Sequence, residues 1–373
     1  MRITVLAGGV GGARFVRGVR EECARRWPAT GSGPTDGGSG GDTHTAGIAS
    51  TGIGSTGTNG PATSADITVV VNTGDDLWLA GVRLMPDFDS LLYSLAGVND
   101  TERGWGRAGE SERVSAELRE WGVGWPWFTL GDLDLGTHLA RTSWLRDGLR
   151  PSDVAERLQR RWPLGVRLIP ATDTEVDTWV QVDPADPAVD GRAELHFQEW
   201  WTRFRAGITA RAFSQRNLAD ARPAPGVAEA IADADVVLFA PSNPVVSIGT
   251  ILGVPGIREA LATTRAPIVG VSPIIGGSVV RGMADACLHT IGVETDAAAV
   301  GLHYGSRRPA QGAAGGGLLD GWLVDETDAA ALPSLEEAGL HATSVPLWMR
   351  DLDTSAALAG AAIDLAARIR DER

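Results

Sequence analysis

Cysteine is scarce in this chain. Cys23 and Cys287 are the only two, far apart and both in helix-like contexts, which excludes a disulfide framework and a cysteine zinc site. Both are expected to be core thiols. Cationic side chains are also outnumbered: 33 Lys+Arg against 47 Asp+Glu give a formal net charge of −14. Duplex binding rests on many cationic contacts to phosphate, so nucleic acid is excluded as a partner. A small anion responds to local donors and stays open. No apolar run reaches the length of a membrane span, so no membrane partner is expected. The chain opens directly on a strand rather than on a signal peptide, and a cytoplasmic protein is expected.

A second scarcity marks Pro28 to Ala65. This stretch has no aromatic and almost no bulky apolar residue, and Gly, Thr, Ser, Ala and Pro dominate it. Such a segment cannot offset its ordering entropy by burial. It is predicted to be a disordered surface excursion in a permissive loop position, between the first helix and the second strand.

What remains is ordinary for a globular protein: 373 residues, 43% apolar and 21% charged, enough for a full core and near the length at which one core divides. Short apolar runs bounded by turn residues stand at Ile3–Ala7, Ile67–Val71, Val236–Ala240, Ile268–Val271, Leu319–Val324 and Thr343–Val345. They read as parallel strands covered on both faces. Helical patterns run between several of them, at Ala13–Arg26, Gly249–Ala262 and Met283–Ile291, and a last one covers Ser355–Arg370. The alternation predicts an α/β fold, a doubly wound, mainly parallel, Rossmann-like sheet. Residues 88–221 read differently, with most of the tryptophans, helical stretches at Ser111–Trp121, Leu135–Asp147 and Pro151–Arg161, and a hairpin-like pair at Thr178–Val182 and Ala193–Trp200. They are expected to form an inserted, largely helical subdomain over a core made of 1–87 and 222–373.

The first strand runs straight into Gly8-Gly9-Val10-Gly11-Gly12-Ala13-Arg14. Backbone without side chains approaches a phosphate closely, and a helix N-terminus adds its positive end. The loop does not match a dinucleotide fingerprint well: Arg14 falls where the third glycine of G-x-G-x-x-G belongs, and Asn72 rather than an acid follows the second strand. A nicotinamide-dependent oxidoreductase is therefore disfavoured. Asp75, Asp76, Asp87 and Asp89 cluster near the carboxyl edge of the sheet. Clustered carboxylates repel, and Mg²⁺ with phosphate oxygens is the usual resolution; Asp87 or Asp89 as a helix cap is the structural alternative. Asp132, Asp134, Thr137 and His138 converge at a loop-to-helix junction. Two loops rich in Ser and Pro, around Ser242-Asn243 and around Ser272, follow adjacent strands and suit a base or phosphate.

Taken in order, these motifs, with Pro86-Asp87-Phe88-Asp89, Leu130-Gly131-Asp132-Leu133-Asp134, Ala240-Pro241-Ser242-Asn243-Pro244-Val245-Val246-Ser247-Ile248-Gly249 and Arg281-Gly282-Met283-Ala284-Asp285, resemble the 2-phospho-L-lactate transferase family of coenzyme F420 biosynthesis. The resemblance spans nearly the whole chain outside Pro28–Ala65. His196-Phe197-Gln198-Glu199-Trp200-Trp201 brings it nearest the actinobacterial, phosphoenolpyruvate transferase branch.

The resemblance implies a transferase that moves an enolpyruvyl-phosphate or 2-phospholactate group from a guanosine diphosphate donor to the terminal hydroxyl of the deazaflavin Fo, with release of GMP and with Mg²⁺ as cofactor. It implies that Gly8, Gly9, Gly11, Gly12 and Arg14 hold donor phosphates. Ser242, Asn243 and Ser272 would hold guanosine; Asp75 and Asp89 would be catalytic, and Asp75 with Asp89, or with Asp87, would bind the metal. Asp87, Asp89, Asp132, Thr137 and His138 would hold Fo. Two features depart from the family: Leu133 stands between Asp132 and Asp134 where members usually have Arg, and the low-complexity stretch is long. A non-catalytic regulator that binds nucleotide-sugars or dinucleotides on the same fold is the alternative; it would need no carboxylate cluster. A homodimer is expected for such an α/β enzyme.

Overall fold

A computed structural model describes residues 1–29, 62–308 and 316–373. The expected excursion therefore lies, for residues 30–61, outside the described residues. Its two ends are described and meet: Pro28 pairs with Thr63 in an isolated bridge, and the Ala29 N–H donates to Ala62 O at 3.2 Å.

Seven parallel strands form the central sheet: β1 (Arg2–Ala7), β2 (Asp66–Val71), β3 (Arg167–Pro170), β4 (Val236–Phe239), β5 (Ile268–Val271), β6 (Gly321–Val324) and β7 (His341–Ser344), in the spatial order β7-β6-β5-β4-β1-β2-β3. Each apolar run expected as a strand is one. The register puts Leu6 between Val70 and Phe239. Side chains alternate across the sheet. Ile3, Val5 and Ala7 face a layer that contains α1 (Gly9–Arg26), α2 (Pro86–Ala96), α4 (Pro151–Gln159) and α5 (Leu352–Asp371), and α3 (Asp132–Arg146) packs against its margin through Trp144 and Leu145. Leu6, Val70 and Phe239 face a second layer with Ile257, Val300 and Leu335.

Three local readings are corrected. The first helix begins at Gly9, not Ala13, so the glycines lie in its first turns. The single helix expected over Gly249–Ala262 is two, Gly249–Gly253 and Ile257–Thr263, because Pro255 cannot continue the first and Gly256 turns at φ +101°. The segment 88–221 does not stand wholly apart: Arg167–Pro170 pairs with β2 as an edge strand. The rest of it carries α3 and a three-stranded antiparallel sheet, Glu194–His196, Thr178–Gln181 and Ala212–Gln215, which extends the expected hairpin by a third strand.

A buried arginine fastens these parts. Arg20 of α1 donates to Leu95 O, at the end of α2, at 2.8 Å and to Leu164 O, ahead of β3, at 2.7 Å. Among the described residues no single helix is long and apolar enough to cross a membrane.

Candidate active site

β1 and its two neighbours lead away in opposite directions, to β2 on one side and β4 on the other, which opens a crevice beyond their carboxyl ends. A cavity of about 540 Å³ occupies it. Its floor is the turn from β1 into α1. Gly8 is the extended residue before the helix and Gly9 has φ +64°. A Cβ on Gly8 would run into the Asp87 carboxylate and come within 2.9 Å of Ser247 Cβ, and one on Gly12 within 2.7 Å of Ser242 Oγ. Glycine is thus required here for close approach, and by side chains of the protein itself.

The Gly8 N–H donates to Ser242 Oγ at 3.0 Å, and that hydroxyl donates back to Gly8 O at 2.7 Å. The Gly9 N–H donates to Asp87. Val10 and Gly11 then carry the N–H groups that helix geometry leaves without intrahelical acceptors. The loop is accordingly a shared cradle: a carboxylate already sits at the helix N-terminus where a phosphate is expected.

Asn72 organises the acids. Its side-chain oxygen accepts the Gly74 N–H at 2.9 Å, and its amide donates to Asp87 Oδ2 at 2.9 Å and to Asp75 Oδ1 at 3.3 Å. Burial, then the charges of Asp87 and Asp76, push the Asp75 carboxyl well above the usual range. Burial pushes Asp87 up to about 6, against the hydrogen bonds from Asn72, Gly9 and Ser247. Two buried carboxylates on one amide, beside free backbone N–H groups, fit a hard dication that also takes phosphate oxygens.

Of the two acids expected beside Asp75, Asp89 is held elsewhere. It is ion-paired with Arg141, lies 3.6 Å from His138 Nδ1 and does not line the cavity. Asp87 and Asp89 are positions i and i+2 of α2, and a helix points such residues to different sides. The acid that shares the Asn72 amide with Asp75 is Asp87.

His138 lines the cavity from α3, with Nε2 3.3 Å from Asp134, which also accepts from Tyr93 Oη at 2.7 Å. Asp134 is buried, but His138 and Tyr93 hold its carboxyl below the usual range. Ligand atoms of Asp89, Asp134 and His138 lie within 4.8 Å of one another. Arg141 already neutralises this group and stands 3.0 Å from His138 Nδ1, so a dication would face a guanidinium.

The remaining expected residues divide. Asp132 is exposed and binds the Ser111 N–H and hydroxyl, both at 2.9 Å, at the start of α3. Thr137 is buried behind the wall and donates to Leu133 O at 3.5 Å. Neither lines the cavity. Ser242, Asn243 and Ser272 do, but their side chains tie loops together: Asn243 Oδ1 accepts from Val245 N–H at 2.9 Å, and Ser272 Oγ donates to Ile274 O at 2.9 Å. Arg14 is exposed and faces a neighbouring cavity. Trp127, Phe128, Phe197 and Trp201 supply flat apolar walls, with Trp125 stacked on Trp127 at 4.7 Å between ring centroids. Asn72, Ser247 and Arg141 were not among the expected site residues. For Arg141 a signal existed, since it lies three residues beyond His138 and seven beyond Asp134, on one helix face.

The family model for the 2-phospho-L-lactate transferase CofD matches residues 3–347, which takes in the glycine loop, the carboxylates and both Ser/Pro loops. The chain belongs to this family. The CofD chain is 46% identical over 371 residues to a phosphoenolpyruvate transferase of Streptomyces griseus, covering 99% of this chain and 100% of the relative. It is 47% identical over 371 residues to one of Thermobifida fusca, covering 100% and 99%. Over 366 residues it is 46% identical to one of Mycolicibacterium smegmatis, covering 98% and 99%. A crystal structure of a UPF0052 family protein from Bacillus halodurans shares the fold, with a TM-score of 0.55 at 16% identity over 97% of this chain and 99% of that one. As a CofD member the protein is a phosphotransferase.

Proposed function

We propose that this protein is the phosphoenolpyruvate transferase of coenzyme F420 biosynthesis, with an enolpyruvyl-diphosphoguanosine donor and the deazaflavin Fo as acceptor. The observation that carries this is the meeting of Asp75, Asp87 and the glycine loop at one point of the cavity floor. The acceptor hydroxyl forms a bond to the outer phosphorus of the donor, the bond from that phosphorus to the oxygen of GMP breaks, and the hydroxyl proton leaves.

Val10 and Gly11 N–H groups and the α1 N-terminus bind the phosphate oxygens. Asp75 and Asp87 would hold Mg²⁺, which neutralises charge on the transferring phosphoryl group when bound. Asn72 fixes both carboxylates in place. The Ser242–Asn243 and Ser272 loops form the guanosine side of the cavity. The Trp127, Phe128 and Trp201 faces give a planar acceptor a stacking surface, and His138 reaches it from α3.

The test is GMP release from purified protein with Fo, Mg²⁺ and either the enolpyruvyl or the lactyl donor. Release with the enolpyruvyl donor, lost in Asp75→Ala at unchanged melting temperature, is expected. No release above background with either donor overturns the reading, and near-normal rates in the variant remove Asp75 from the metal role.

A further inference from the structure

Beside the main cavity lies an annex of about 290 Å³. The two share Val10, Trp105, Arg281 and Met349 in their walls, so they adjoin. At about 30 Å³ per water, the annex has room for roughly ten waters, or for a small acid.

Four arginines line it: Arg14 and Arg17 on successive turns of α1, Arg281, and Arg350 just ahead of α5. Elsewhere arginines meet acids, as Arg25 meets Asp353 and Arg26 meets Asp364, both at 2.5 Å. None of the four has an acidic partner within 4.0 Å among the described residues. The buried Nε of Arg17 has no hydrogen-bond acceptor. The carboxylate in the wall, Asp351, is engaged as the helix cap of α5, accepting from the Thr354 N–H and hydroxyl, both at 2.8 Å. Burial, then the charge of Arg14, lower the Arg281 guanidinium from its ordinary value, as expected for like charges facing one another.

Arg281 is also built into place. Its guanidinium lies where a Cβ on Gly104 would be, and Gly104 has φ +79°. A protein with net charge −14 has gathered around one opening four arginines without an acidic partner among the described residues; Arg14 donates to Met349 O at 3.4 Å. An anion is the ligand that such a wall selects. A guanidinium fork suits a carboxylate or a phosphate, and with the donor phosphates assigned above to the cavity floor the carboxylate is left for the annex.

We propose that the annex binds the carboxylate of the three-carbon acid carried on the donor's outer phosphate, with Arg17 and Arg281 as its partners. This rests on the donor reading above. Calorimetric titration of wild type, Arg17→Gln and Arg281→Gln with GDP and with lactyl-diphosphoguanosine separates the two.

Wild type is expected to prefer the acid-bearing ligand at least about tenfold. Each variant loses that preference and keeps its GDP affinity within about twofold, with an unchanged or raised melting temperature in the absence of ligand. Arg281→Lys, which keeps the charge but not the fork, recovers part of the preference. Equal loss of GDP and donor, or no loss of either, overturns the proposal. If wild type binds neither guanosine ligand, the donor reading fails by itself. Phosphoenolpyruvate alone then decides: binding that disappears in Arg281→Gln sustains the annex, and no binding overturns it.

Discussion

Asp87 and His196 titrate in the same pH range with opposite signs. Asp87 has a folded value of about 6, above its ordinary 3.8, so folding favours its protonated form. Its contribution to stability is full below about pH 4 and is lost as the pH rises through 6. Asp87→Asn should therefore raise the melting temperature of the ligand-free protein at pH 7, have little effect near pH 4, and abolish GMP release; thermal melts across that range check it. His196 is pushed down to about 4 by burial and by the Arg83 and Arg216 charges. Its contribution is full above pH 6.5 and is lost as the pH falls through 4, on the order of 3 kcal/mol at about 1.4 kcal/mol per unit. His196→Gln should flatten the acid limb of the stability curve; an acid limb as steep as wild type contradicts this assignment. At this scale the sequence marked the acids as a cluster but not which of them share a hydrogen-bond partner. Asn72 read only as the absence of a ribose-binding acid, because one side chain serving two carboxylates leaves no mark on the motif.

At the scale of elements, helix phase explains most of what the residues concealed. Asp87 and Asp89, and again Asp132 and Asp134, are neighbours in the chain but sit at i and i+2 of a helix, so one member of each pair faces the cavity and the other does not. Asp134 and His138, at i and i+4, share a face. The strands of the sheet were legible because buried parallel strands are unbroken apolar runs between turn residues. β3 was not, since Arg167–Pro170 is four residues long, ends in proline and follows directly on helical patterns. Ala212–Gln215 is half-buried throughout and shows no apolar run. The meeting of Pro28 with Thr63 has its own consequence. The fold closes this loop at its base whatever its length, and each doubling of loop length costs only about 0.6 kcal/mol. Replacing residues 30–61 by a four-residue Gly/Ser linker should leave GMP release within about twofold and the melting temperature unchanged or slightly raised. A large loss of either would show that the segment serves the site.

For the whole molecule, every one of the 33 basic residues is arginine and none is lysine, so each cation here is a planar fork. The bulk charge turned attention from polyanions to small anions, but it hid the annex. That cavity draws its four arginines from α1, the Arg281 loop and the approach to α5, and only the fold brings them together. The same folding logic reaches its firmest form in Arg20. Its two hydrogen bonds tie α1 to the end of α2 and to the turn before β3. The helix that follows the glycine loop and the helix that carries Asp87 are thus tied to one another. Arg20 thus bears on the shape of the cavity floor without lining the cavity itself.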